Sequence, residues 1–278
     1  MEAAAPSSQV LRAHAKLTLS LRVVGVRADG YHLIDAEMVS LDLSDSITVS
    51  AGEGGITASG PFATGVPLDE TNLVARALAL HRGSAAAGRG QALPETHVAI
   101  SKQIPHGGGL GGGSTDAAAV LRWAGWGTTT HELSQAAAIG ADIAFCMVGG
   151  RARVSGIGEI VESLPHLERT VTLVVPPIRV STPAVYRAWD DLGGPTSSGQ
   201  NDLESAALSV EPRLTEWREL IAARVGMAPT LAGSGATWFV EGEHQDALGD
   251  LVDEGALVVV SRTVRRAVAA PRIASPSG

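Results

Sequence analysis

Between Pro105 and Asp116 the chain places six glycines in seven positions, Gly107, Gly108, Gly109, Gly111, Gly112 and Gly113, broken only by Leu110. A run of this kind cannot be there for packing. Glycine at such density belongs where the backbone must turn through positive φ or come very close to something. Residues 97–101 before it read as a strand, and residues 117–123 after it as a helix. Strand, glycine loop and helix together make a phosphate cradle, because backbone N–H groups can approach an anion and the helix N-terminus adds about half a positive charge. Pro105 on one side, and Ser114 or Thr115 as an N-cap with Asp116 on the other, give the loop the defined ends that a flexible linker lacks. A local device of this sort is needed here: the formal net charge is −8, so the global field repels anions and makes duplex nucleic acid an unsuitable partner.

Two familiar cradles can be tested against the loop. A Walker A loop ends in Gly-Lys-Ser/Thr, and Gly113 is followed by Ser114 and Thr115 with no lysine. Gly107, Gly109 and Gly112 satisfy dinucleotide spacing, but that motif follows an apolar strand directly and leads to an acid about 20 residues on at a strand end. Here Lys102, Gln103 and Pro105 intervene, and Glu132 falls in a helix-capping stretch, which leaves NAD as a second reading. Lysine occurs only at Lys16 and Lys102, so arginine supplies the other 19 of the 21 cations. Both lysines stand beside motif-like segments, and a compact ammonium suits a moving phosphoryl group better than a planar fork does.

The 278 residues suffice for one large or two medium domains, and 45% hydrophobic with 18% charged residues excludes a disordered or fibrous chain. Residues 11–23 alternate strictly, with Leu11, Ala13, Ala15, Leu17, Leu19 and Leu21 on one face and Arg12, His14, Lys16, Thr18, Ser20 and Arg22 on the other. Asp29-Gly30 then marks a hairpin, with a short strand at 47–49. A helix is expected over 69–81, a small-residue loop over 83–90, and a second helix from the Thr129/Glu132 capping box to a stop at Gly140. Strands are expected at 149–154, 171–175, 237–240 and 256–260, helices at 212–225 and 244–252, and a frayed tail at 269–278. This order of elements predicts an α+β chain with a sandwich in its second half. Cys146 is the single cysteine, residues 1–10 carry no basic-then-apolar leader, and the apolar stretch 256–260 is far too short for a bilayer; together these predict a reduced, cytoplasmic chain without a membrane partner.

The motifs carry a resemblance. Pro105-x-x-x-Gly109-Leu110-Gly111-Gly112-Gly113-Ser114-x-Asp116-Ala117-Ala118 resembles the second motif of the galactokinase, homoserine kinase, mevalonate kinase and phosphomevalonate kinase superfamily. Ala15-Lys16-Leu17 resembles its first motif, and Leu231-Ala232-Gly233-Ser234-Gly235-Ala236-Thr237 its third. Asp29-Gly30-Tyr31-His32, Gly140-Ala141-Asp142, Gly156-x-Gly158-Glu159 and Asn201-Asp202-Leu203-Glu204 are most similar to the branch that phosphorylates a hydroxyl of a cytidine-diphosphate sugar alcohol in the non-mevalonate route to isoprenoids.

The resemblance implies a two-domain α+β fold. It comprises an N-terminal ribosomal-protein-S5-domain-2-like domain over 1–165 and a C-terminal ferredoxin-like α/β sandwich over 166–278. It implies ATP bound along Pro105, His106, Gly107, Gly108, Gly109, Leu110, Gly111, Gly112, Gly113, Ser114 and Thr115, with Mg²⁺ arriving as Mg-ATP and no legible protein metal cage. Asp142 is implied as the base and Lys16 as its electrostatic partner. Thr18, Tyr31, His32, Tyr186, Gly233 and Ser234 are implied at the substrate, Tyr31 and Tyr186 bringing aromatic faces to cytosine and His32 reading its edge. Asp202 and Glu159 are supporting acids.

Taken singly, Asp142 reads as a helix cap or solvated acid, Tyr31 as a hairpin aromatic, and 233–236 as a tight turn. Thr18 stands where the family has asparagine and Ala144 where it has proline. A sibling kinase for mevalonate, homoserine or a sugar therefore stays open, as does a non-catalytic nucleotide-binding relative, in a monomer or homodimer.

Overall fold

The computed structural model describes residues 8–266. The expected tail at 269–278 and residues 1–7 lie outside this range. Two sheets carry the chain. The first holds β1 (Gln9–Val26), β2 (His32–Ala51), β3 (Gly55–Ser59), β4 (Thr96–Ser101), β5 (Arg151–Gly156) and β6 (Ile160–Leu164), in the order β3-β4-β2-β5-β6 with β1 on the free edge of β2. The second holds β7 (Thr170–Val175), β8 (Thr230–Leu231), β9 (Trp238–Glu241) and β10 (Leu257–Arg262), all antiparallel, in the order β10-β7-β9-β8.

The alternation in β1 does what period two dictates. Ala13, Ala15, Leu17, Leu19 and Leu21 are all buried, each fully buried leucine contributing about 1.5–3 kcal/mol. The middle of its polar face is not solvated, however: Lys16 and Thr18 are 5% and 2% exposed. The pairing with β2 shifts register between His14 and Lys16 and again between Thr18 and Ser20, bulges that re-aim the side chains between them. β2 runs for 20 residues, against the short strand expected at 47–49. Its first half carries His32, Asp35, Glu37, Ser40 and Asp42, and Ile34, Ala36, Met38 and Leu41 reach the core between them.

Helix α1 (Leu73–Ala86) starts at Asn72, whose side chain accepts from Val74 N at 2.8 Å, and it absorbs the start of the expected 83–90 loop because Ser84, Ala85 and Ala86 sustain a helix. Helix α2 (Gly112–Trp123) begins inside the glycine run, not after it, with Gly111 in the left-handed region as N-cap. Ser114 and Thr115 are therefore not caps: they lie in the first turn, and Thr115 Oγ1 donates to His14 O at 2.7 Å. Helix α3 (Thr130–Ile139) has the expected capping box.

Six elements were not legible: β3, α4 (Ile143–Val148), β6, α5 (Thr182–Asp191), α6 (Glu204–Val210) and β8. Every residue of α4 is buried, so it shows no amphipathic period, and the others are short. Helix α7 (Arg213–Val225) follows. The helix expected at 244–252 is a single α-turn, α8 (Gln245–Leu248), tightening into a 3₁₀ turn over Gly249–Val252. The core crosses between the sheets, since one buried cluster holds Leu21, Phe145, Val174 and Trp238 and another holds Leu17, Leu41, Leu173 and Phe239. That crossing places the loop after β8 over the polar face of β1.

Candidate active site

The glycine loop is held from three directions. Lys16 N donates to Leu110 O at 3.0 Å, and Thr237 Oγ1 donates to Gly108 O at 2.5 Å. A Cβ on Gly109, at φ +81, would stand 2.8 Å from Gly235 O and 3.0 Å from Ala232 O. A Cβ on Gly111, at φ +69, would stand 2.7 Å from Lys16 Cγ. The second and third glycine motifs thus meet backbone to backbone, and no other residue fits there. A cavity of about 340 Å³ runs along Pro105, His106, Gly107 and 109–114 and reaches Asp142. Of the expected phosphate residues, Gly108 and Thr115 lie outside its lining, tied instead to Thr237 and His14. Its far end, Val66, Pro67, Thr71, Asn72 and Leu73, carried no sequence signal. Burial, Arg179 and Lys102 lower the pKa of His106 below its usual range.

At the near end stand Lys16 and Asp142. Asp142 opens α4, and its Oδ2 lies 3.3 Å from Lys16 Nζ. Lys16 also donates to Thr18 Oγ1 at 3.2 Å, so the threonine in the asparagine position keeps a polar contact to the ammonium. Ala144 forms the same buried helix without proline. Gly233, at φ +64, closes over this pair: its Cβ would be 3.6 Å from Thr18 Oγ1 and 3.8 Å from Lys16 Nζ. Asn201 fixes that loop, donating from Nδ2 to Leu231 O at 2.9 Å and Gly233 O at 2.6 Å. Ser234 Oγ sits 2.7 Å from Thr182 Oγ1 at the start of α5.

The two supporting acids serve structure. Asp202 accepts from Arg22 Nη1 (2.8 Å), Ser197 N (2.7 Å) and Val23 N (3.1 Å), clamping the 197–202 loop to β1. Glu159 accepts from Ile157 N at 2.6 Å and closes the β5–β6 hairpin.

His32 and Tyr186 stack with centroids 4.6 Å apart at 34°, and Trp189, absent from the sequence argument, meets His32 edge-on at 5.6 Å. His32 Nε2 is 2.9 Å from Asp190 Oδ1. Burial, with a smaller push from the Asp142 carboxylate, raises the Tyr186 hydroxyl to about 12. Tyr31 is apart from the stack, 59% exposed on the hairpin with the Arg27 guanidinium 5.4 Å over its ring.

Lys102 is not a free phosphate ligand. It is 2% exposed and locked between Asp45 and Asp116, with Nζ 2.6 Å from Asp116 Oδ2 and in contact with Asp45 Oδ2. Asp45 Oδ1 also accepts from Ile104 N at 2.8 Å, which anchors the strand entering the loop. Burial, more than repulsion from Asp45, raises Asp116 to about 7 against the pull of Lys102, and its Oδ1 has no partner among the described residues. Among the described residues no group of three or more His, Cys, Asp or Glu is placed to hold a metal ion, and no helix is long and apolar enough to cross a membrane.

The geometry matches known proteins. Residues 69–150 match the GHMP kinases N terminal domain. The 4-diphosphocytidyl-2-C-methyl-D-erythritol kinase of Paracoccus denitrificans is 36% identical over 246 residues, covering 82% of this chain and 84% of that protein. The enzyme of the same name from Dinoroseobacter shibae is 36% identical over 263 residues, 86% of this chain and 88% of that one. Among solved structures, a 4-(cytidine 5'-diphospho)-2C-methyl-D-erythritol kinase superposes with TM-score 0.69 at 28% identity, over 93% of this chain and all of that one. A mevalonate kinase, at 12% identity and TM-score 0.61 over 93% of this chain and 100% of that one, shares the fold.

Proposed function

Since the chain belongs to the 4-diphosphocytidyl-2-C-methyl-D-erythritol kinase family of GHMP small-molecule kinases, we propose that it transfers the γ-phosphoryl group of ATP to the 2-hydroxyl of 4-diphosphocytidyl-2-C-methyl-D-erythritol. The observation that carries this reading is the Lys16–Asp142 pair, 3.3 Å apart, at one end of the glycine-lined cavity.

Backbone N–H groups of 107–113 and the N-terminus of α2 hold the ATP phosphates. The acceptor hydroxyl oxygen bonds to the γ-phosphorus as the bond to the β–γ bridging oxygen breaks; ADP leaves and the hydroxyl proton passes to an Asp142 oxygen. Lys16, a fixed cation 7% exposed at its side chain, offsets negative charge on the acceptor oxygen and the moving phosphoryl group. Cytosine stacks on Tyr186, with His32 at its polar edge. The Asp190 carboxylate sets the His32 proton on Nε2 and leaves Nδ1 as an acceptor suited to the exocyclic amine of cytosine. Tyr31 borders this subsite from the hairpin, and Thr18, Gly233 and Ser234 line the path between base and reacting hydroxyl. Mg²⁺ supplies charge neutralisation on the triphosphate. The cavity lining of 107 and 109–114 would hold the metal as Mg-ATP, through the phosphates. We further place the domain boundary at 165/166, between β6 and β7, and the enzyme in the cytoplasm.

The test is phosphate transfer from Mg-ATP to 4-diphosphocytidyl-2-C-methyl-D-erythritol beside mevalonate and homoserine. Transfer to the cytidylyl alcohol alone is expected. Preference for either of the others would move the assignment to a sibling kinase, and no transfer to any would make the chain a nucleotide-binding relative.

A further inference from the structure

A second, smaller cavity of about 30 Å³ lies behind α2, lined by His14, Ser40, Thr115, Arg122, Cys146 and, at its mouth, Arg265 among others, and it shares no residue with the nucleotide cavity. No aspartate or glutamate lines it. Arg122, in the last turn of α2, is the notable group. Its Nη1 donates to Cys146 O, and among the described residues no carboxylate lies within ion-pairing distance of it. A guanidinium has five N–H donors and never gives up its charge in a protein. Arg122 is half-buried, and holding a guanidinium there with a single carbonyl partner leaves a partly desolvated cation without a counter-charge, which is costly. Burial is the main influence on Arg122 and draws its pKa below the usual value, whereas the ion-paired arginines Arg27, Arg151, Arg153, Arg213 and Arg224 are all raised.

The remaining polar groups point the same way. His14 spends Nδ1 on Leu41 O at 2.8 Å and keeps Nε2. Ser40 accepts from Gly150 N at 3.1 Å, and Thr115 donates to the His14 carbonyl. Arg265 is exposed at the opening and adds a second positive charge. In a chain of net charge −8, a pocket lined by two arginines and a histidine with no acid is a local inversion of sign. The volume equals about one water's share of liquid, room for a compact ion and nothing organic.

We propose that this cavity is a binding site for a halide-sized inorganic anion, with the Arg122 guanidinium as its principal ligand and Arg265 guarding the mouth. The site joins α2, which opens from the phosphate cradle, to α4, which opens with Asp142, and to the segment after β10, where Val264 N donates to Ser40 O at 2.9 Å. The competing explanation is that the carbonyl ends of α2 and α4 neutralise Arg122 by themselves.

The experiment uses the full chain saturated with magnesium and a non-hydrolysable ATP analogue, so that the glycine cradle is filled. Melting temperature is followed against sodium bromide and, at equal ionic strength, sodium gluconate, whose anion is too large to enter. Bromide is expected to stabilise saturably beyond gluconate, and crystals soaked in bromide to show an anomalous peak beside the Arg122 guanidinium. Arg122→Met is expected to weaken the apparent bromide affinity about tenfold or more, the loss of a charge-assisted donor, and Arg265→Ser by roughly threefold, a rim charge. An Arg122→Met protein that answers bromide as the unaltered protein does would overturn the proposal. So would the absence of the peak, which decides the matter with Arg265→Ser should Arg122→Met not fold.

Discussion

Replacing Gly109 by alanine tests whether the two glycine motifs must touch. The added Cβ would lie 2.8 Å from Gly235 O and 3.0 Å from Ala232 O, against an ordinary contact of 3.4 Å, so the facing strands of backbone must part by 3.4 − 2.8 = 0.6 Å at the tighter point. Neither side yields easily. Lys16 N and Thr237 Oγ1 hold the 108–110 segment, and Asn201 holds the 231–233 segment. The φ of +81 adds about 1–2 kcal/mol for an L side chain, and overpacking a close contact adds about 1–3 kcal/mol. The expected loss is therefore about 2–5 kcal/mol, a fall in melting temperature of roughly 5–15 °C for a chain this size. A 1 Å misplacement in an active site can cost about a hundredfold, so a parting of half that between the cradle and the loop over Lys16 lowers kcat/KM about tenfold. Gly83→Ala is the control: it lies inside α1, away from the cavity, with nothing within 4 Å of an added Cβ, and it should stabilise by about 0.5–1 kcal/mol. Differential scanning calorimetry and steady-state kinetics read both variants. A Gly109→Ala protein that melts within 2 °C of the parent, a criterion of about 1 kcal/mol, with undiminished kcat/KM would refute the argument.

Three further outcomes follow from the site. Asp116 sits at about 7 in the native protein against 3.8 unperturbed, so the folded chain holds a proton that the unfolded chain releases, and stability falls as pH rises from about 4 to about 7. Asp116→Asn removes that contribution; urea midpoints that fall equally with pH in variant and parent would contradict it. Tyr186→Ala should raise KM for the cytidylyl substrate by about 5- to 150-fold, the worth of one stacked base, and leave KM for ATP near the parent value, as initial-rate kinetics would show. Asn201→Ala strands Leu231 O, Gly233 O and Leu203 N, which should destabilise by about 1–3 kcal/mol on urea titration and lower kcat more than either KM.

The parts of the fold carried by period or punctuation were readable in the chain. The alternation of 11–23, the capping box at Thr129 and Glu132 and the glycine run each express one local rule, and each lies where that rule puts it. What escaped was set by tertiary surroundings. Helix α4 is apolar on every side because the core encloses it, so nothing periodic marks it, yet it delivers Asp142. Lys102 looked like a second phosphate lysine because its partners, Asp45 and Asp116, are 57 and 14 residues away in sequence. The pairing of Lys16 with Asp142 was accessible only through resemblance, as was the place of Tyr186; Trp189 and Asn72 had no signal at all. Ser114 and Thr115 fit a cap equally well by type, and only the left-handed turn at Gly111 shows that the helix starts before them.

The account stands on Asp142 as the group that takes the acceptor's proton, and single-turnover phosphate transfer by Asp142→Asn measures that claim most directly. The substitution keeps size and removes the negative charge that faces Lys16. The account predicts Mg-ATP and cytidylyl-substrate binding within a few-fold of the parent and a transfer step slowed by about 10²–10⁴. Transfer at the parent rate with both substrates bound would contradict it.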